Sequence, residues 1–211
     1  MVNSFRLFLL LALAGTALAF VQAKKARNYT IDLTQSQLTL TLVQEGLIGK
    51  RYPTHQVAVK NFSCKITLPK DERQTAVEVE AEAKSFVNAD KTMSEFERRG
   101  FHDVLQNKVL ESERYPAIKF KSVGVSELKK NGDARTFTLH GDVTLHGVTR
   151  RVSLPVNVAL AGEQLRATGS ASLKQSDFGI TPYADLTGLI KIGDELKINF
   201  AIVAKLEEGK K

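Results

Sequence analysis

Hydrophobic and polar residues alternate with a period of two over most of this chain, which is the pattern of strands that bury one face. Residues 137–150 show it best, because Phe137, Leu139 and Val143 alternate with threonine, histidine and aspartate. The same period recurs over residues 29–43, 57–68, 75–87, 117–128, 151–160, 165–173 and 195–206. Turn signals such as Asn131-Gly132 separate several of these segments. The pattern predicts about eight antiparallel strands, with a bulge near Lys60.

Residues 88–110 break this period and predict a helical excursion between two strands. Four apolar residues recur there at helical spacing: Met93, Phe96, Phe101 and Leu105. We expect this helix to close or gate one end of the sheet, with Gly100 dividing or kinking it. The candidates for its N-cap are Asn88, Asp90 and Thr92. Tyr115-Pro116 should end the helical segment, since the residue before a proline disfavours helical geometry.

Small residues stand at several positions of the apolar strand faces, where a densely packed core would hold valine, isoleucine or leucine. They are Ala81, Ala83, Gly141, Ala167, Gly169 and Ala171. An eight-stranded barrel with small inward residues has room for one ligand. We therefore expect a mainly β protein, a single extended antiparallel barrel with a hollow apolar lumen, in which Gly141→Leu would block the space without unfolding the barrel. The alternative is that the small residues let a helix or a facing strand approach closely.

The N-terminal residues have the features of a secretory signal peptide. Arg6 precedes the apolar run 7–14, which is too short to span a bilayer, and Ala17-Leu18-Ala19 fits the small-x-small cleavage rule. We expect cleavage after residue 19, with a second site at residue 23; the alternative is an uncleaved membrane anchor. The rest of the chain would form a basic leader over 20–28, a barrel domain over 29–206 and a tail over 207–211.

Composition narrows the classes of function. Cys64 is the only cysteine, so a disulfide within the chain is excluded, and its place in a strand pattern predicts a buried, unreactive thiol. The formal net charge is +7, but both signs are mixed within each strand, which indicates a solvated surface with a mild preference for anionic membranes. We expect no nucleic-acid partner.

Residues that could carry catalysis are scattered along the chain. His140 and His146 share one strand face but lie about 20 Å apart along an extended strand, too far to bind one metal ion. His102 lacks a nucleophile motif, and the sequence contains no phosphate loop, zinc signature or carboxylate pair at catalytic spacing. We expect no metal and no cofactor. Two alternatives are kept: a lipid-dependent enzyme with His55 or His102 as acid or base, and a secreted interaction protein.

Several segments, in this order, resemble the YceI-like family of exported bacterial proteins. They are YTID at 29–32, the helical segment with His102, ERYPAIKFKS at 113–122, LHGDVTLHGVTR at 139–150, SDFGI at 176–180 and IGDE at 192–195. The resemblance implies a lipocalin-like barrel that holds a long polyisoprenoid chain in its lumen, in the bacterial periplasm. Two departures, Gln35-Ser36 in place of His-Ser and residues 49–55 in place of a Gly-x-Phe loop, direct the search for the head-group site to the rim at 46–55.

These observations predict an exported, non-enzymatic binding protein that stores or transports an isoprenoid lipid or isoprenoid quinone in the periplasm. Binding would be partition of an apolar tail, worth about 0.8 kcal/mol for each buried CH₂. The strand residues predicted to line the lumen are Val77, Val79, Ala81, Ala83, Phe137, Leu139, Gly141, Val143, Ala167, Gly169, Ala171, Ile198, Phe200 and Ile202. The helix residues predicted to close its end are Met93, Phe96, Phe101 and Leu105. The sequence leaves open whether two barrels form a homodimer.

Overall fold

The computed structural model of the protein describes residues 26–45, 54–91, 93–187, 189 and 191–208. The expected signal peptide, most of the expected basic leader and residues 46–53 of the expected rim lie outside them. No helix among the described residues is long and apolar enough to cross a membrane. The described strands are β1 (Arg27–Ile31), β2 (Gln37–Glu45), β3 (His55–Val59), β4 (Phe62–Leu68), β5 (Ala76–Glu82), β6 (Phe86–Asn88), β7 (Ala117–Asn131), β8 (Ala134–Leu145), β9 (Val148–Ala161), β10 (Gln164–Lys174) and β11 (Lys191–Leu206).

Six of these strands are the halves of three longer strands, each interrupted once. The interruption between β1 and β2 covers residues 32–36, the one between β3 and β4 is Lys60-Asn61, and a 3₁₀ turn over Ala83–Ser85 separates β5 from β6. Together with β7 to β11, they make eight antiparallel strands around the wall. β11 closes the wall by pairing with both β1 and β2. The prediction of an eight-stranded antiparallel barrel is confirmed.

Two of the interruptions lie side by side and satisfy each other's backbone groups. The Lys60 N–H donates to the Ser85 carbonyl at 3.0 Å, and the Glu82 N–H donates to the Asn61 carbonyl at 3.1 Å. The bulge expected near Lys60 is therefore a complete break in the strand. The expectation of one continuous strand over 75–87 is wrong, because Ala83–Ser85 leave the ladder as a 3₁₀ turn.

The helical excursion is confirmed, although its start differs from the prediction. The helix α1 (Glu95–Val104) begins after Ser94, whose hydroxyl accepts a hydrogen bond from the Glu97 N–H at 3.3 Å. The Glu97 carboxylate in turn accepts one from the Ser94 N–H at 2.7 Å. This reciprocal capping box satisfies donors that have no partner within the helix.

The residues expected to cap or divide the helix lie elsewhere in the structure. Asn88 is the last residue of β6 and Asp90 precedes the helix, while Thr92 lies outside the described residues. Gly100 lies within α1 and does not divide it. The helix then continues as a π-helical turn over Leu105–Val109. The predicted caps were wrong because several polar residues precede α1, and the capping box forms between Ser94 and Glu97.

The two ends of the barrel differ. Short connections at 69–75, 132–133 and 162–163 form one end, which we call the turn end. The other end, which we call the helix end, carries α1, the Gly147 turn and residues 175–187. Buried side chains pack the helix end: Leu42, Val57, Phe86, Leu105 and Phe178. The barrel is therefore closed by protein where the helix lies.

Candidate ligand cavity

The barrel encloses an apolar cavity of about 210 Å³. Its wall is formed by inward-facing side chains of β4, β5 and β7 to β11, with Leu38 from β2. Alternate residues of each strand point to this side, so the two-residue period of the sequence becomes a continuous apolar surface. The cavity runs between the turn end and the packed helix end.

Ten of the strand residues predicted to line a lumen lie on the cavity wall. They are Val77, Val79, Phe137, Leu139, Val143, Ala167, Ala171, Ile198, Phe200 and Ile202. Ala81 and Ala83 do not lie on it: Ala81 is buried between Phe62 and Ile118 of the neighbouring strands, and Ala83 is buried in the 3₁₀ turn. Their small side chains allow close packing at that level of the barrel.

Gly141 and Gly169 do not provide empty space. A Cβ atom on Gly141 would lie 2.3 Å from Cε2 of Phe120, and one on Gly169 would lie 2.4 Å from Cζ of Phe200. Each glycine is paired across the ladder close to the strand position of that phenylalanine, whose ring covers it. The interpretation of these two glycines as room for a tail is wrong, because aromatic rings of neighbouring strands occupy the room. Gly141→Leu would therefore collide with the protein itself.

The helix residues predicted to close the lumen do not touch the cavity. Leu105 is buried in the packed helix end, and Phe101 is half-buried with its ring centroid 5.3 Å from that of His55. Met93 is half-buried ahead of α1. Phe96 is 80% exposed, so its predicted place at the lumen is wrong: it lies on the solvent side of an amphipathic helix.

The prediction missed two complete stripes of cavity residues. One is in β4, with Phe62, Cys64, Ile66 and Leu68, and the other is in β9, with Val152, Leu154, Val156, Val158 and Leu160. Both alternate clearly in the sequence. Their position on the apolar face of each strand indicated that they would line the cavity. Small side-chain size, by contrast, indicated several residues that do not line it.

A buried ion pair lies at the turn end of the cavity. The Arg135 Nε donates to Glu72 at 2.8 Å, and both side chains are at most 15% exposed and lie on the cavity wall. Lys130 Nζ lies 3.0 Å from the same carboxylate. Burial acts to raise the pKa of Glu72, but the hydrogen bonds and charges of Arg135 and Lys130 outweigh it and lower that pKa. The turn end is thus charged and internally paired.

Cys64 lies on the apolar wall as a buried thiol, as predicted. Burial raises its pKa to about 12, because the thiolate would lose its hydration in apolar surroundings. The thiolate is the reactive form of cysteine, so Cys64 is expected to be inert at neutral pH.

None of the four histidines lies on the cavity wall. His55 has an orienting carboxylate that the sequence did not reveal, since its Nδ1 lies 2.7 Å from Asp90 and its Nε2 contacts Gln44. His140 lies between the hydroxyls of Ser126 and Ser153, each at 2.8 Å. These contacts fix the rings on the outside of the cavity.

The remaining two histidines also lie away from the cavity. His146 Nε2 is 3.0 Å from Glu111, and its ring packs against Tyr115 with centroids 4.3 Å apart. Within the part of the chain that the structure describes, no three histidine, cysteine, aspartate or glutamate residues are grouped as a metal site would require.

An eight-stranded antiparallel barrel around an apolar cavity is the architecture of lipocalin-like proteins. Within that class, residues 29–204 match the sequence profile of the YceI-like domain. The chain therefore belongs to the YceI-like family. Comparison with curated protein sequences gives no match.

Solved structures share this fold at low sequence identity. BcnA from Burkholderia cenocepacia has a TM-score of 0.64 and 24% identity, over 83% of this chain and 99% of that chain. A polyisoprenoid binding domain from Saccharophagus degradans, implicated in plant cell wall breakdown, has a TM-score of 0.62 and 12% identity, over 85% and 98%. The YCEI protein of Campylobacter jejuni has a TM-score of 0.52 and 18% identity, over 72% and 84%.

Proposed function

We propose that this protein binds the apolar chain of an isoprenoid lipid or isoprenoid quinone in its cavity and carries or stores it. The observation that carries the proposal is a closed barrel whose cavity is lined almost wholly by aliphatic and aromatic side chains. The fold shared with a polyisoprenoid binding domain supports the same ligand class. Membership of the YceI-like family is consistent with it.

The mechanism is transfer of hydrocarbon from water or membrane into the barrel. Each buried CH₂ contributes about 0.8 kcal/mol, and the loss of chain freedom offsets part of this gain. The wall offers few polar partners apart from the paired charges at the turn end. Affinity should therefore depend on the length of the hydrocarbon chain more than on the head group.

The site of action that we propose is the bacterial periplasm, reached through the signal peptide. An exported carrier can move an apolar chain through an aqueous compartment because the barrel replaces water around it. Mass spectrometry of the periplasmic fraction tests this step. A mature N-terminus at residue 20 or residue 24 is expected; protein that stays in the cytoplasm with residues 1–19 attached would contradict export.

Two measurements test the binding function. Native mass spectrometry of protein purified without detergent should show an added mass that organic extraction removes. Titration with geraniol, farnesol and geranylgeraniol, which differ by one isoprene unit each, should give affinity that rises at least about tenfold per unit until the cavity is full. Geranylgeranylamine is the control for the head group and should bind within a few-fold of the alcohol. Affinity without length dependence would contradict the proposal.

A further inference from the structure

The barrel wall has a seam between β9 and β10. The two strands pair over six residue pairs, from Gln164↔Ala161 to Gly169↔Val156, and the ladder ends there. Both strands continue beyond this point, and all of their residues are described. β9 remains paired with β8 up to Val148, and β10 remains paired with β11 up to Lys174. Each edge of the seam is thus held in place by its other neighbour.

Pro155 gives a physical reason why the ladder ends at this position. Pro155 is next to Val156, the last residue of β9 that the ladder joins to β10. Its carbonyl oxygen points at β10, since it would lie 2.4 Å from a Cβ atom on Gly169. In an antiparallel ladder the N–H and the carbonyl of one residue point at the same neighbour. Proline has no N–H, so the next rung between the two strands loses its donor.

The seam lies between the internal cavity and a groove on the outer surface. A groove of about 500 Å³ runs along the outside between β9 and β10. Val152, Ala171 and Leu173 line this outer groove and also line the internal cavity. The same apolar side chains therefore border both spaces, as they would at the sides of an opening through the wall.

Charged side chains border the outer side of the seam. Arg150 lies where the seam reaches the helix end, and its Nε donates to the Asp177 carbonyl at 2.8 Å. Arg151 forms an ion pair with Asp142 at 2.5 Å. Lys174 and Glu195 also line the groove. The apolar residues at the seam thus belong to the cavity wall, while the outer margin of the seam is charged and suits contact with water.

We propose that the seam between β9 and β10 is the lateral portal through which the apolar chain of the ligand enters and leaves the barrel. This inference rests on the proposed function. Buried side chains pack the helix end and a largely buried ion pair lies at the turn end, so among the described residues an apolar chain would meet packed protein or paired charge at either axial end. The cavity of about 210 Å³ is also smaller than the roughly 300–1,000 Å³ of usual ligand pockets, so a long chain would extend beyond it.

A reversible crosslink across the seam tests the portal. Ser153 and Ser172 are both exposed and would face each other if the register of the ladder continued, so S153C/S172C can be joined by a short bis-methanethiosulfonate, which forms a reducible disulfide with each thiol and releases methanesulfinate. The matched control is N157C/T168C, an exposed pair in the same two strands that the ladder already joins. Cys64 is buried with its pKa raised to about 12, so it should not compete for the reagent.

The readout is the rate at which geranylgeraniol carrying a fluorescent anthraniloyl group is taken up and released. The crosslinked S153C/S172C protein should exchange the probe about tenfold more slowly than the control, and reductant should restore the rate. Equal exchange rates in both crosslinked proteins, with the probe still bound, would overturn the portal and leave the binding function standing. Failure of the uncrosslinked protein to bind any isoprenoid would overturn the binding function.

Discussion

The ring of Phe120 lies over Gly141 on the adjacent strand, and Phe200 lies over Gly169 in the same way. A glycine lets the ring lie flat against the backbone, where a larger residue would force it into the lumen. These two contacts hold aromatic rings along the wall and leave the centre of the barrel free. The glycines therefore shape the cavity indirectly, through the rings that cover them.

Gly141→Ala should destabilise the barrel. The added Cβ would meet two ring atoms of Phe120 within 2.4 Å and the Lys121 carbonyl oxygen at 2.8 Å, so the ring and the backbone must both shift. Overpacking of this kind costs about 1–3 kcal/mol. Urea denaturation measures the change in the free energy of unfolding, and Phe120→Leu should recover part of the loss in the double variant.

Gly124→Ala is the matched control for this prediction. Gly124 also lies in a barrel strand, β7, but a Cβ there would have no neighbour within 4 Å. Replacing a strand glycine without strain is neutral or mildly stabilising. Equal destabilisation by both substitutions would show that the loss at Gly141 does not come from the Phe120 contact.

Glu72→Gln should destabilise the protein at neutral pH and less so in acid. Loss of the carboxylate leaves the largely buried Arg135 without its charged partner, at a cost of about 3 kcal/mol. Because folding lowers the pKa of Glu72, its contribution to stability is complete above the usual glutamate pKa of 4.5 and is lost as the pH falls through the lowered folded-state value. The difference between wild type and variant should therefore shrink below about pH 4.5.

Denaturation curves measured across the acidic range check this linkage. Glu113→Gln serves as the control, since Glu113 forms an ion pair with Lys84 in which both side chains are largely exposed. Exposed pairs contribute little. A difference between wild type and Glu72→Gln that stays constant through the acidic range would contradict the assignment of a lowered pKa.

At the scale of elements, the phase of the two-residue period decides which breaks the sequence can reveal. Val57 and Val59 are in one phase and Phe62 and Cys64 in the other, which correctly marked the break at Lys60-Asn61. The break at Ala83–Ser85 was missed because Ala83 stays in phase with β5, and only buried Phe86 shows the change. A single shifted residue is too weak a signal without knowledge of the neighbouring strand.

Pro155→Val should extend the ladder between β9 and β10. The substitution restores the missing N–H on the side that faces β10, so backbone bonds toward Ser170 become available. Amide hydrogen exchange of residues 170–174 measures the effect, and slower exchange at those amides that face β9 is expected. The strand 164–169, which is already paired, should show no change.

The same variant also tests whether the end of the ladder between β9 and β10 affects ligand release through the proposed portal. If the missing N–H of Pro155 keeps the seam apart, Pro155→Val should slow release of the fluorescent isoprenoid. Pro53 lies outside the described residues, and Pro69 lies between strands, so neither offers a matched strand proline. Ala159→Val, on the exposed outer face of the paired region, is a suitable control. Unchanged exchange of residues 170–174 would show that the proline alone does not end the ladder.

At the scale of the whole molecule, the antiparallel strands and their apolar inner face could be predicted from alternation alone, since every second residue of each strand had to face one side. Alternation could not show which of those positions border the cavity. Ala81 and Ala167 look equivalent in the sequence, yet Ala81 is packed between large neighbours while Ala167 lies on the cavity wall. That difference depends on the strand register and on the rings of Phe120 and Phe200, which are properties of the assembled barrel.

An empty apolar cavity reduces stability, because its lining side chains lack contacts that a packed core would supply. Ala167→Leu adds three carbon atoms to the cavity wall and should raise the free energy of unfolding of the ligand-free protein by about 1–2 kcal/mol. The same atoms occupy space needed by the ligand, so affinity for geranylgeraniol should fall about tenfold or more. Ala159→Leu, on the exposed outer face of β9, should change neither quantity much. Urea denaturation with and without the alcohol measures both effects, which should have opposite signs. Destabilisation of the ligand-free Ala167→Leu protein would mean that the lumen is already full. Stabilisation with undiminished binding would place the ligand elsewhere.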